Sequence, residues 1–240
     1  AMLRSQDDNP GLYLAAASFT AGWPGCEVER AADGVNYSAV TSIGEAATMG
    51  NATNAPTTGS EGHWDTDSSL VVSLIAGTLE NTTRDAPSYA VWGQAGRWEL
   101  VAFTTASQDV TSGDWTITEI ARGLLDTGAA VSTHAVGDRF VVLDENTLDR
   151  ILLPVSSIDQ LETLRAVTFG RLPSTAAVVA YQYTGENLEP FAPTRLDGSI
   201  DGSDNWDLSW MRQDRKRARP FWEASNSEAT ETYTLQILDD

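Results

Sequence analysis

Apolar and polar residues alternate with a period of two in run after run of this chain. The runs RWELVAFT (97–104) and DWTITEIA (114–121) show it best. Side chains on a strand point to opposite faces in turn, so each run can bury one face and wet the other. Trp98, Leu100 and Ala102 would share one face of the first run, and Trp115, Ile117 and Glu119 one face of the second. Gly113-Asp114 supply the turn between them. Arg122-Gly123 break the pattern, a polar loop runs to His134, and DRFVVL (138–143) makes a third strand. The prediction is an antiparallel meander. GLYLAAAS, CEVERA, NYSAVTSI, Leu70–Leu74, Ile151–Leu153 and Ala176–Thr184 also read as strands. Met49 to Ser68 reads as a polar loop, long enough to be either exposed or functional. Ser157–Thr163 is the best helix candidate. No strands alternate with long helices, so the class is all-β. A β-sandwich or barrel-like main domain is expected over residues 1–190, with a subdivision near 50–70.

Composition narrows the partners more than the fold. The chain has 240 residues and 41% hydrophobic content, enough for a core in one large or two small domains. Its formal net charge of -19 argues against nucleic acid, whose phosphates would be repelled over most of the surface. No apolar run approaches the roughly 18 residues that cross a bilayer, so no membrane insertion is expected. Cys26 is the single cysteine, which excludes a disulfide within the chain and a cysteine-based metal site. It reads as a small strand residue.

The candidate chemistry is sparse. The two histidines, His63 and His134, lie in no nucleophile, zinc or phosphate-loop motif. His134 is expected to bond local backbone in its loop. His63-Trp64-Asp65-Thr66-Asp67 has the ligand types for a divalent cation, although a solvated loop accounts for it as well. Asp197, Asp201, Asp204 and Asp207 are weak calcium candidates, with Asx turns as the plainer reading. Among eight tryptophans, Trp98, Trp115 and Trp210 fall in strands and read as core. Trp64 and Trp222 fall in loops and are the candidates for a sugar-stacking surface. Arg212, Arg215, Lys216, Arg217 and Arg219 form a basic run in which Arg215 and Arg217 are candidates for docking an acidic partner. No cofactor and no enzymatic activity are expected.

The order of several motifs resembles a known family. In ITEIARGLLDTGAAVSTHAVGDRFVVLD the residues Arg122-Gly123, His134 and Gly137-Asp138-Arg139-Phe140 resemble the C-terminal region of phage tail-tip and baseplate hub proteins. That family includes the host-attachment hub of gene transfer agents. LRAVTFGRLPSTAAVVAYQYTGENLEPFAPTRLDGS resembles the family's passage into a fibronectin type III-like unit. WDLSWMR and ETYTLQILD are similar to its second and third strands, with Trp210 and Tyr233 at core positions. Such sandwiches need roughly 90–100 residues, so residues 191–240 imply an incomplete one. Its unpartnered strands lead to an expectation of self-association through residues 206–238. The resemblance implies a structural part of a tail tip or baseplate, partnered by other tail proteins, assembled in the bacterial cytoplasm and resident in the virion. The rival function is a carbohydrate-binding module that reads host-surface glycans.

Overall fold

The computed structural model describes residues 9–59, 61–189, 194–203, 205–211 and 232–233. These residues are all-β, with only short 3-10 turns between strands. In chain order the strands are β1 (Gly11–Leu14), β2 (Cys26–Ala31), β3 (Ser38–Ile43), β4 (Met49–Ala52), β5 (Trp64–Asp65), β6 (Leu70–Ala76), β7 (Ser88–Gly93) and β8 (Glu99–Gln108). Then follow β9 (Trp115–Leu124), β10 (Arg139–Val142), β11 (Asp149–Leu152), β12 (Leu161–Thr168), β13 (Val178–Gln182), β14 (Thr194–Ile200) and β15 (Trp206–Met211).

Six of them close on themselves. The order β9-β6-β4-β10-β7-β8 returns to β9 through a long β8–β9 ladder, and every pairing is antiparallel. Closure removes the free edges that an open sheet would present. Alternate residues of each strand point inward, so Leu70, Val72, Trp92, Val101, Phe103, Ile117 and Phe140 fill one buried core. Burying each such side chain stabilises by about 1.5–3 kcal/mol. Strand β4 approaches β6 so closely that a Cβ on Gly50 would lie 2.1 Å from the Ser73 carbonyl oxygen. Only glycine fits that crossing.

A smaller four-stranded sheet, β13-β12-β2-β3, sits beside the two-stranded ribbon β1–β11. Leu14 and Leu164 join its two small cores, one around Cys26, Val28 and Ile43 and the other around Ile151, Leu153 and Tyr183. The chain divides into two compact units, one holding Asn9–Glu186 and the other holding the described residues from Asn187 onward. In the latter, β14 and β15 form an antiparallel ribbon. The strand expected at ETYTLQILD lies outside the described residues except for Thr232 and Tyr233.

Several expectations need correction. The Met49–Ser68 stretch is not a structureless loop: it contains β4 and β5, each held by ladder partners. Arg122-Gly123 do not end the second run, because β9 continues to Leu124. The third run is no meander neighbour of β9; β10 inserts between β4 and β7. Ser157–Thr163 is not a helix, since a 3-10 turn at Val155–Ser157 leads into β12 at Leu161. Glu119 does not share a face with Ile117. It adopts φ 51°, and Ile120 takes the inward place. Trp98 and Trp210 are not core residues: they are 40% and 38% exposed. Trp115 is partly buried against the barrel core.

Candidate functional site

One mouth of the barrel is closed by charge rather than by hydrocarbon. Glu99 opens β8 on the inward face, opposite Trp92 of β7. Arg122, near the end of β9, reaches the same place, and both side chains are fully buried. The guanidinium forks onto the carboxylate, with Nε to Oε1 at 2.7 Å and Nη2 to Oε2 at 2.8 Å. Such planar, two-point pairing is what distinguishes arginine from lysine. The Gly123 amide adds a third donor to Glu99 Oε1 at 2.8 Å. Gly123 itself has φ 63°, and a Cβ there would lie 2.9 Å from Gly128 Cα, which explains why glycine follows the arginine.

His134 bridges this pair to a second one. Its Nε2 lies 2.6 Å from Glu99 Oε2 and its Nδ1 3.2 Å from Asp138 Oδ2. Its ring stacks on Trp92, with centroids 3.5 Å apart and planes 8° from parallel. Asp138 accepts a forked pair from Arg97, an amide hydrogen bond from Ala135 at 2.9 Å and a side-chain bond from Gln94 at 3.0 Å. Burial opposes the charge of both carboxylates, but the donors prevail. Bonds from His134 and Arg122 hold Glu99 below its ordinary range, and Arg97 and the Ala135 amide do the same for Asp138.

The array also ties down the chain around it. Arg122 Nη1 donates to the Thr58 carbonyl at 2.9 Å and Nη2 to the Val131 carbonyl at 3.1 Å. Arg97 donates to the Thr133 carbonyl at 2.8 Å. The Gly62 amide donates to the Arg122 carbonyl at 2.8 Å, so the chain at Thr58 and at Gly62 is tied to the end of β9. Chemically, the array is closed. Both His134 nitrogens are taken up by carboxylates, and its side chain is fully buried. The expectation that His134 would bond local backbone is corrected: its partners are Glu99 and Asp138.

A second arginine clamp holds the smaller sheet. Arg30 of β2 donates to Glu162 of β12 through Nε at 2.7 Å and Nη2 at 2.5 Å, and to Ser157 Oγ at 2.8 Å. Tyr181 of β13 donates its hydroxyl to Glu162. The Arg30 guanidinium, with the Tyr181 hydroxyl, lowers the Glu162 carboxyl to about 2. Burial and the neighbouring Glu162 raise Tyr181 to about 12.

The residues singled out from sequence do not converge on one place. His63 is exposed and its Nδ1 contacts the Glu61 carbonyl at 2.8 Å. Asp65 Oδ1 caps the turn of Asp67 and Ser68. Asp201 accepts from Ser203 and Asn205 in the β14–β15 turn, while Asp197 bonds Gly198; Asp207 is exposed. Among the described residues no cluster of three His, Cys, Asp or Glu side chains could hold a metal. Trp64 is partly exposed on β5, with the Arg84 guanidinium 5.1 Å from its ring centroid. Asp204, Arg215, Arg217 and Trp222 lie outside the described residues. Glu99, Arg97 and Trp92 were not singled out. Alternation alone gave no signal for Glu99, which falls on the polar face of its run. No helix among the described residues is long and apolar enough to cross a membrane.

Residues 47–141 match the family described as Rcc01698-like, C-terminal. The matched span runs from just before β4 into β10, taking in the barrel and its charged mouth. No curated protein matches the chain.

Proposed function

We propose that this chain is a structural component of a phage or prophage tail tip or baseplate, serving host attachment. The observation that supports it most is where the family-like motif falls. Arg122-Gly123, His134 and Asp138, the residues that carry the resemblance, are the ones that close the barrel mouth. Their pattern is thus accounted for by construction of a module, with no appeal to catalysis. The partners under this reading are neighbouring tail proteins. Exposed Ile200 and Trp206 on the β14–β15 ribbon keep self-association through residues 206–238 part of the same proposal.

The test is localisation. An epitope-tagged copy is expressed in the bacterium that encodes it, particles are induced and purified, and the tag is followed by immunogold electron microscopy. Label at one tail end is expected. Purified particles devoid of the protein, or an unchanged particle yield and attachment after gene deletion, would overturn the proposal.

A further inference from the structure

Among the described residues outside the barrel mouth, a long and exposed ion pair lies on the outer wall beside Trp64. Arg84 and Glu119 are 3.5 Å apart, with side chains 49% and 41% exposed. The ion pairs of Arg30, Arg97, Arg122 and Arg165 close to 2.7 Å or less on partners that are buried or nearly so. Arg84 also contacts the Trp64 ring only at 5.1 Å from its centroid. Exposed contacts of both kinds are weak, so the guanidinium is free to exchange partners.

Glu119 is placed there by an unfavourable backbone. Its φ of 51° lies in the left-handed region, in the middle of a strand. Such conformations are costly for a residue with a Cβ and cluster at ligand sites. The consequence is that the carboxylate points outward. Thr104 anchors its Oε2 at 2.8 Å, while Oε1 faces Arg84. A mere brace between the 80–87 loop and the barrel would need neither the strained residue nor a long, wet ion pair.

We infer that Trp64, Arg84 and Glu119 form a binding site for a neutral hexopyranose unit of a surface glycan. The apolar C–H face of the sugar stacks on the indole. The arginine fork swings from the ring to donate to adjacent hydroxyl oxygens, and the carboxylate accepts their protons. A neutral sugar follows from the charge: a chain of net charge -19 repels a polyuronate or phosphoglycan. For the biological source of the sugar this rests on the attachment role proposed above. The chemistry is tested on isolated protein, so that its failure leaves the tail localisation standing.

Isothermal titration with chitohexaose, maltohexaose and a mannan fragment, beside a hyaluronan fragment as the anionic control, provides the test. Saturable binding to a neutral probe is expected. Trp64→Ala, Arg84→Lys and Glu119→Gln should each weaken it at least about tenfold, the scale of one lost stacking or charged contact. Trp98→Ala removes an exposed tryptophan elsewhere and should leave affinity intact. Near-UV circular dichroism checks that each variant is folded. No saturable binding to any neutral probe would overturn the inference. So would preference for hyaluronan, equal loss in Trp98→Ala, or variants that shift only the thermal midpoint.

Discussion

The barrel mouth and the smaller sheet are both held by an arginine forked onto a glutamate, yet they sit in different surroundings. Arg122 and Glu99 are wholly buried, whereas Arg30 keeps 18% of its side chain in contact with solvent. Arg122 also serves two loop carbonyls and stands over Trp92. Arg30 adds only Ser157 and Tyr181. The lesson is that the same pair becomes structurally decisive where nothing, including water, can replace a missing partner.

Removing one partner is the strongest way to probe this difference. Arg122→Ala should destabilise the protein by about 3–5 kcal/mol, because it strands Glu99 in a dry site. Urea unfolding measures it, and a loss below about 1 kcal/mol would mean that water enters the mouth freely. Adding Glu99→Ala should recover part of the loss, since the lone charge is gone. Arg30→Ala should cost less, about 1.5–3 kcal/mol, the range for hydrogen bonds to charged groups, because water reaches this site on the exposed side of Arg30. If the two single changes cost the same, burial is not what separates the regions.

Titration sharpens the contrast. Glu162 is lowered to about 2 in the folded state, so its contribution is complete above the ordinary carboxylate range and is lost as pH falls toward 2. Glu99 and Asp138 shift in the same direction, so both regions weaken in acid. Tyr181 differs. It is raised to about 12, so its contribution is complete below its ordinary value near 10 and is lost between pH 10 and about 12. An alkaline decline in stability over that window should therefore disappear in Tyr181→Phe and persist in Arg122→Ala. The smallest effect is expected at Glu119→Gly. Relief of the left-handed backbone, set against a weak surface pair, should raise stability by up to about 1 kcal/mol. A measurable loss would mean that φ 51° carries little strain.

Strand identity was largely legible because it rests on local alternation. CEVERA, Leu70–Leu74 and the two runs flanking Gly113 all pair as strands. Closure was not legible. Strand β4 reads MGNA, with a glycine and an asparagine that disfavour strands in isolation, and it exists because β6 and β10 flank it. The two residues of β5 carry no period at all. At the Ser157–Thr163 segment, the ladder to β2 and β13 overrode the helical reading. The barrel mouth was hidden for a different reason. Glu99 looks like the wet face of its strand until Arg122, 23 residues later, arrives against it. His134 stands out as a motif residue, but its two carboxylate partners come from distant β8 and its own loop. Side-chain pairing across a closed sheet has no signature in a single strand.

Cys26 lends the molecule a built-in clock. The only thiol of the chain is fully buried at the start of β2, under Val28, Ile43 and Trp23, and burial raises it above its ordinary pKa. A thiol reagent in solution reaches it only when the smaller sheet parts, so the labelling rate counts those openings and is blind to the barrel. Opening of one half of the barrel unit can thus be timed while the other stays shut, with no residue added to the chain.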